Sequence, residues 1–243
     1  MLYSGSLKEK RGGIKMAKEK WLWKKLWDKC INSENPLCTE IRDRSAQLQS
    51  LGWRYPVCPT DSRIDIMFVG INPRKNTNVK IEYNDFEEYY EESKEKSFMN
   101  DRHFRNFHKP LLRKIKEAGY HPTSFFTEII LCPTEDGMKR FGKRAAEDIA
   151  NTCTSNYLKK IIESEMPKVI VAEGNLPVTT IRKQFGLPHK KVQVTKNVGE
   201  KEIISVDHNN LWLIWCPHQN AWISKKKVIE KICDEIVSIL KVS

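Results

Sequence analysis

Four short apolar runs constrain the fold of this chain more than any other feature: IDIMFVG (Ile64–Gly70), FFTEIIL (Phe125–Leu131), KVIVA (Lys168–Ala172) and LWLIWC (Leu211–Cys216). Rich in Ile, Val and aromatic residues, they read as strands buried on both faces. Helical patterns lie between them at Phe107–Ala118, Arg144–Met166 and Leu176–Phe185, and a fourth, Lys225–Leu240, closes the chain. This alternation predicts an α/β fold: three layers, α/β/α, around a central, mostly parallel four-stranded sheet. In such sheets the ligand crevice lies beyond the carboxyl ends of the strands, so the residues just after each strand are where chemistry is expected.

With 243 residues and no shift of composition along them, the chain has the length of one α/β domain, expected over residues 17–243. Residues 1–16 are basic and lack an apolar period, which predicts a flexible tail. From Ala17 to Ile31, Trp23, Leu26, Trp27 and Cys30 recur at helical spacing. That helix reads as one docked on the core, with a membrane or DNA anchor as the alternative.

Lys and Arg number 42 against 31 Asp and Glu, a net charge of +11 that favours a polyanionic partner. Charge alone does not choose between DNA, RNA and an anionic membrane. No run of about 18 apolar residues is present, and the first residues lack the pattern of a secretory signal, so a cytoplasmic protein with no membrane partner is expected. Seven cysteines in such a chain point to metal binding or buried thiols rather than to a disulfide framework.

The first strand runs into Gly70-Ile71-Asn72-Pro73-Arg74, where glycine allows a sharp turn and proline stiffens the loop that presents Asn72. The last runs into Cys216-Pro217-His218-Gln219-Asn220-Ala221-Trp222, which puts a histidine on the same rim. Alone, a turn with Asn and Pro is ordinary, and a histidine after a strand is more often structural than catalytic.

Together these two loops resemble the motifs of the uracil-DNA glycosylase superfamily, a Gly-x-Asn/Asp-Pro-type loop after the first strand and a His-containing loop after the last. GINP is similar to the mismatch-specific uracil/thymine branch. The rest resembles the iron–sulfur branch, family four. FFTEIILCP is similar to its strand reading ITN followed by KCRPP. Cys153 with the following TSNYLKKIIESEMPKVIVAEG is similar to its cysteine, helix and Pro-x-Val-Ile-Val-x-Leu-Gly strand. FRNFHKPLL, starting at Phe104, resembles its Phe-Val-Gly-x-Ala-Gly-x-Leu-Leu. The resemblance runs from about Cys30 to Leu240 in matching order.

The resemblance implies a monofunctional DNA glycosylase that flips a base from DNA into a pocket and hydrolyses its N-glycosidic bond, and a monomer is expected. It also implies a [4Fe–4S] cluster, held by Cys30, Cys38, Cys132 and Cys153 with Cys58 in reserve, that ties the N-terminal helix and a DNA-facing loop to the core. The early pair is spaced Cys-x7-Cys where the family has Cys-x2-Cys. Cys216 and Cys233, in a strand and a helix, read as small hydrophobes.

On the same resemblance, Asn72 positions the attacking water and His218 donates to the base O2 as negative charge develops there, assisted by backbone N–H groups near Ile71. Phe104 matches the aromatic that stacks on the flipped base; read alone, it is equally a core aromatic. Trp222 and Ile223 stand where the family has apolar wedges, and Lys225, Lys226 and Lys227 begin a helix within reach of phosphates. A lysine run is otherwise a solvated face.

Glu128 departs from the pattern, standing where the family has the asparagine that reads the uracil edge. An ionised glutamate only accepts hydrogen bonds, so it repels O4 of uracil and suits the N4 amine of cytosine. The expected target is therefore a modified cytosine, such as the glucosylated 5-hydroxymethylcytosine of phage DNA in antiviral defence, or uracil. An acidic, aromatic insertion at residues 79–98 is either a solvated loop or a lid over a bulky 5-substituent. Uracil repair and a catalytically silent nucleic-acid-binding module on the same fold are the alternatives. A nucleotide-binding α/β protein lacks its Gly-rich phosphate loop here.

Overall fold

The computed structural model describes residues 64–71, 104–130, 142–218 and 224–242. Among them, β1 (Ile66–Gly70) is followed by a π-helical turn (Phe104–His108) that leads directly into α1 (Lys109–Glu117), and β2 (Ser124–Glu128) comes next. α2 (Gly142–Cys153) passes through a second π-helical turn (Thr154–Leu158) into α3 (Lys159–Glu165). The chain continues with β3 (Val169–Glu173), α4 (Asn175–Gln184), β4 (Lys201–Val206), β5 (Asn209–Cys216) and α5 (Lys225–Leu240).

The strands form one sheet in the order β2-β1-β3-β5-β4. Four are parallel and β4 pairs antiparallel to β5. The expected four-stranded sheet is thus corrected to one of five strands among the described residues. The added strand, KEIISV, buries Ile204 and Val206, half-buries Glu202 on the same face, and exposes Lys201, Ile203 and Ser205, which alternate with them. Such a half-polar edge strand carries no continuous apolar run to announce it. Asp207 and His208 join it to β5 with φ of 44° and 66°, the left-handed pair that a two-residue hairpin requires.

Alternation along the strands builds a core on each face. Ile66, Phe68, Val169, Val171 and Ile214 meet α1 and α5, while Met67, Val69, Ile170, Ala172 and Leu213 meet α2, α3 and α4. The three-layer α/β/α arrangement follows from these two cores. α3 stops at Met166, which turns left-handed at φ 47° just before Pro167.

From β1 the chain steps to β2 on one side and then crosses to β3 on the other. The switch point of this sheet therefore lies between the carboxyl ends of β1 and β3, which is where Gly70-Ile71 and Glu173-Gly174 emerge.

Candidate functional site

The strand registers align the ends of all four parallel strands. Glu128 stands beside Gly70, Ala172 beside Val69 and Glu173 beside Cys216, so Glu128, Gly70, Glu173 and Cys216 close the sheet in one row. By alternation, all four belong to the face that carries Phe68, Phe126, Val171 and Ile214, beneath the first π-turn, α1 and α5.

Gly70 makes room in this row. A Cβ at position 70 would overlap the Glu128 carboxylate, whose Cδ would be only 2.8 Å away. The carboxylate therefore lies over the end of β1, with Oε2 buried. Backbone pairing continues past both strands, Ile129 N–H donating to the Gly70 carbonyl at 3.0 Å and Ile130 N–H to the Ile71 carbonyl at 3.0 Å. These bonds hold Ile71 and Glu128 at one level.

Gly174, just after β3, has φ 114° and ψ 166°, a backbone region that essentially only glycine occupies. Its N–H donates to the Cys216 carbonyl at 2.8 Å, which draws the loop after β5 against the loop after β3. A Cβ at Gly174 would be 3.6 Å from Ile71 Cδ1 and 3.7 Å from His218 Cβ. Ile71 and His218, 147 positions apart in the sequence numbering, thus meet across Gly174 at the switch point.

Behind this rim lies a buried histidine–carboxylate hydrogen bond. His108 Nε2 is 2.5 Å from Glu173 Oε1, and the two residues are 6% and 2% exposed. The imidazole is ringed by Phe68 and Phe126 at 4.8 Å and Phe107 at 5.4 Å between centroids. Phe104, half-buried one turn away, packs edge-on against Phe126 at 5.7 Å and lies 6.2 Å from the His108 ring. Neither member of this pair stands out in the sequence. The one available signal is an acidic residue closing an otherwise apolar strand, VIVAE, on the carboxyl rim.

Burial, and after it the negative charge of Glu173, push the Cys216 thiol well above its ordinary range. Cys233 on α5 is also raised, chiefly by burial and then by Asp234. Both stay neutral thiols packed in the core, as their apolar settings suggest.

Of the expected site residues, the structure brings Ile71 and His218 to the switch point, lays Glu128 over Gly70 at the adjoining end of β1, and sets Phe104 beside Phe126, two residues before Glu128. Lys225, Lys226 and Lys227 occupy the first turn of α5, all exposed, with Ser224 as its cap residue. Cys153 lies apart, 2% exposed in the core on the opposite face of the sheet. Asn72, Cys30, Cys38, Cys58, Cys132, Trp222 and Ile223 fall outside the described residues, as do the Trp-rich segment 17–31 and the insertion 79–98.

Among the described residues no three His, Cys, Asp or Glu side chains gather as a metal site. Cys153 is the one proposed cluster ligand that can be compared with such a role. Its thiol is shielded from solvent at the end of α2, a setting that fits a structural thiolate ligand, and a cluster needs three more. No helix among the described residues is long and apolar enough to cross a membrane. No protein-family model matches the chain, and no curated protein matches it.

Proposed function

We propose that this protein is a monofunctional DNA glycosylase of the uracil-DNA glycosylase type, acting on a cytosine that bears a 5-substituent. The observation that carries this reading is the placement of Ile71 and His218 against Gly174 at the switch point, with the Glu128 carboxylate laid over Gly70 at the end of the neighbouring strand. This is where a parallel sheet of this topology offers its crevice.

In the proposed reaction a base flipped from the stack enters beside Phe104, which offers an aromatic face. Water attacks C1′ of the sugar, the C1′–N bond breaks, its electron pair leaves with the base, and the proton that the water loses ends on the departed base. His218 donates a hydrogen bond to the base O2, where that charge accumulates. Asn72 holds the water. Glu128 accepts from the exocyclic amine of cytosine, a group uracil lacks.

Lys225, Lys226 and Lys227 support a DNA partner from the same rim. Three exposed cations on the first turn of a helix oppose its dipole, an arrangement a nearby phosphate would relieve. A [4Fe–4S] cluster on Cys30, Cys38, Cys132 and Cys153 belongs to the same proposal, its part being to fasten segments of the chain together. Protein purified without oxygen should then be brown and hold about four irons per chain, and colourless, iron-free protein would remove the cluster from the proposal.

The activity is tested with oligonucleotides carrying a single uracil, 5-hydroxymethylcytosine or glucosylated 5-hydroxymethylcytosine, scored for abasic sites. Base release should fall by about 10²–10³ in His218→Ala and in Asn72→Ala, with DNA affinity kept. Binding without release from any substrate would favour a catalytically silent module, and full single-turnover rates in His218→Ala would overturn the assignment of that residue.

A further inference from the structure

We propose that a single strand of nucleic acid, leaving the strand-end site past Phe104, runs through a basic cavity beside α1; this rests on the glycosylase reading only for where the strand comes from. The cavity has a volume of about 730 Å3 and lies between the π-turn with α1 on one side and the segment entering β2 on the other. Phe104 lines it at one end, so it is continuous with the aromatic group behind the strand-end rim.

Arg105, Lys109, Arg113 and Lys116 also line it. Their spacing of four, four and three residues keeps them on one side of the helix, and all four are exposed. At about 1.5 Å per residue they span roughly 16 Å, room for several phosphates of one strand. Between Phe104 and Lys116 the chain has no acidic residue. Glu117 does approach Arg113, at 3.6 Å, but both side chains are more than 60% exposed, and pairs of that kind neutralise little.

Like charges four residues apart weaken a helix, so nothing in the stability of α1 itself calls for this stripe. A polyanion does. The cavity is half open to solvent, and its size selects among polyanions, because a duplex is far too wide to seat in a volume of about 730 Å3, whereas one extended strand fits. Phe104 offers a base a stacking surface at the mouth, and Pro110 and Pro122 give the wall rigid apolar surface for sugars.

The test is the anisotropy of a fluorescent single-stranded oligonucleotide with no modified base, titrated over a range of salt. An unmodified strand is used so that the result does not depend on base release. Arg105→Ala/Lys109→Ala/Arg113→Ala/Lys116→Ala should lower affinity by at least about tenfold and reduce the slope of log K against log salt by about 3, near 0.7 for each lost phosphate contact. Lys109→Ala alone should reduce the slope by about 0.7, which keeps the question decidable if the fourfold variant melts early. Removing Lys183, Lys191 and Lys196, exposed cations that do not line the cavity, should leave affinity unchanged. Wild-type affinity and slope in the fourfold variant, or an equal loss in the control, would overturn the proposal.

Discussion

His108 Nε2 lies 2.5 Å from Glu173 Oε1, with both residues closed off from solvent, and this contact fastens the π-turn carrying Phe104 to the end of β3. The partners are 65 residues apart in sequence. An imidazole and a carboxylate set among phenylalanine rings are costly to bury singly, because neither has water to turn to. Held together they fix one arrangement of the turn against the sheet, and with it the position of Phe104 relative to Glu128.

Removing one partner should therefore cost far more than removing both. His108→Leu and Glu173→Leu should each lower stability by about 1–3 kcal/mol, since each takes from a buried polar group its short hydrogen bond across the two segments. The double variant should recover most of that loss, apolar side chains being at home between Phe68, Phe107 and Phe126. Urea unfolding of the four proteins gives the coupling directly. Additive effects would mean that the pair does not act as a unit.

The sequence makes the sheet interior and the closing helix easy to read. Lys225–Leu240 has the expected bounds because its apolar positions, Val228, Ile229, Ile232, Ile236 and Ile239, keep helical period from end to end. Strand ends are less legible: β2 stops at Glu128 rather than Leu131, and β3 runs one residue further, to Glu173. That single residue matters, since Glu173 holds His108. A contact across 65 residues leaves no local periodicity to read, and the row formed by Glu128, Gly70, Glu173 and Cys216 exists only once strand register is set. The meeting of Ile71 and His218 is different, because both follow parallel strands and topology alone predicts a shared rim.

Arg182 ties α4 to the edge hairpin and should not tolerate lysine. Its guanidinium donates to Glu202 at 2.7 and 3.1 Å and to the Pro188 carbonyl at 2.8 Å, and it faces the Trp215 ring, whose Nε1 also donates to Glu202. Lysine has no planar fork to make these bonds at once. Arg182→Lys should cost about 1–3 kcal/mol and Arg182→Ala more, measured by thermal melting. Equal melting of Arg182→Lys and wild type would show that the charge alone suffices.

Glu235 on α5 gives a pH signature. Burial acts to raise its carboxyl, but hydrogen bonds from Lys201 at 2.8 Å and Lys231 at 2.7 Å outweigh that, and the net shift is downward from the ordinary 4.5. A lowered carboxyl contributes stability that is fully present above its unfolded value and is lost as the pH falls through the folded one. Glu235→Gln should therefore be destabilised by about 0.5–1 kcal/mol at neutral pH, and the difference should close once the pH drops below the ordinary carboxylate range. A gap that persists in acid would assign the effect to packing on Gly199, where the Lys231 side chain lies, rather than to charge.

Glu128 is where selectivity should change. If its carboxylate accepts from the amine of a cytosine-type base, then Glu128→Asn should gain uracil excision while losing activity on glucosylated 5-hydroxymethylcytosine. Two acceptors facing each other in a buried site cost about 1–3 kcal/mol, which corresponds to roughly 5–150-fold in rate between the bases. Gly70→Ala gives an independent check, because its Cβ would displace the carboxylate from the end of β1 without altering the charged group itself. It should erode the preference for the modified base, as Glu128→Asn does, while leaving His218 in place. Efficient uracil excision by the wild type at neutral pH, unchanged in Glu128→Asn, would show that this carboxylate does not read the base.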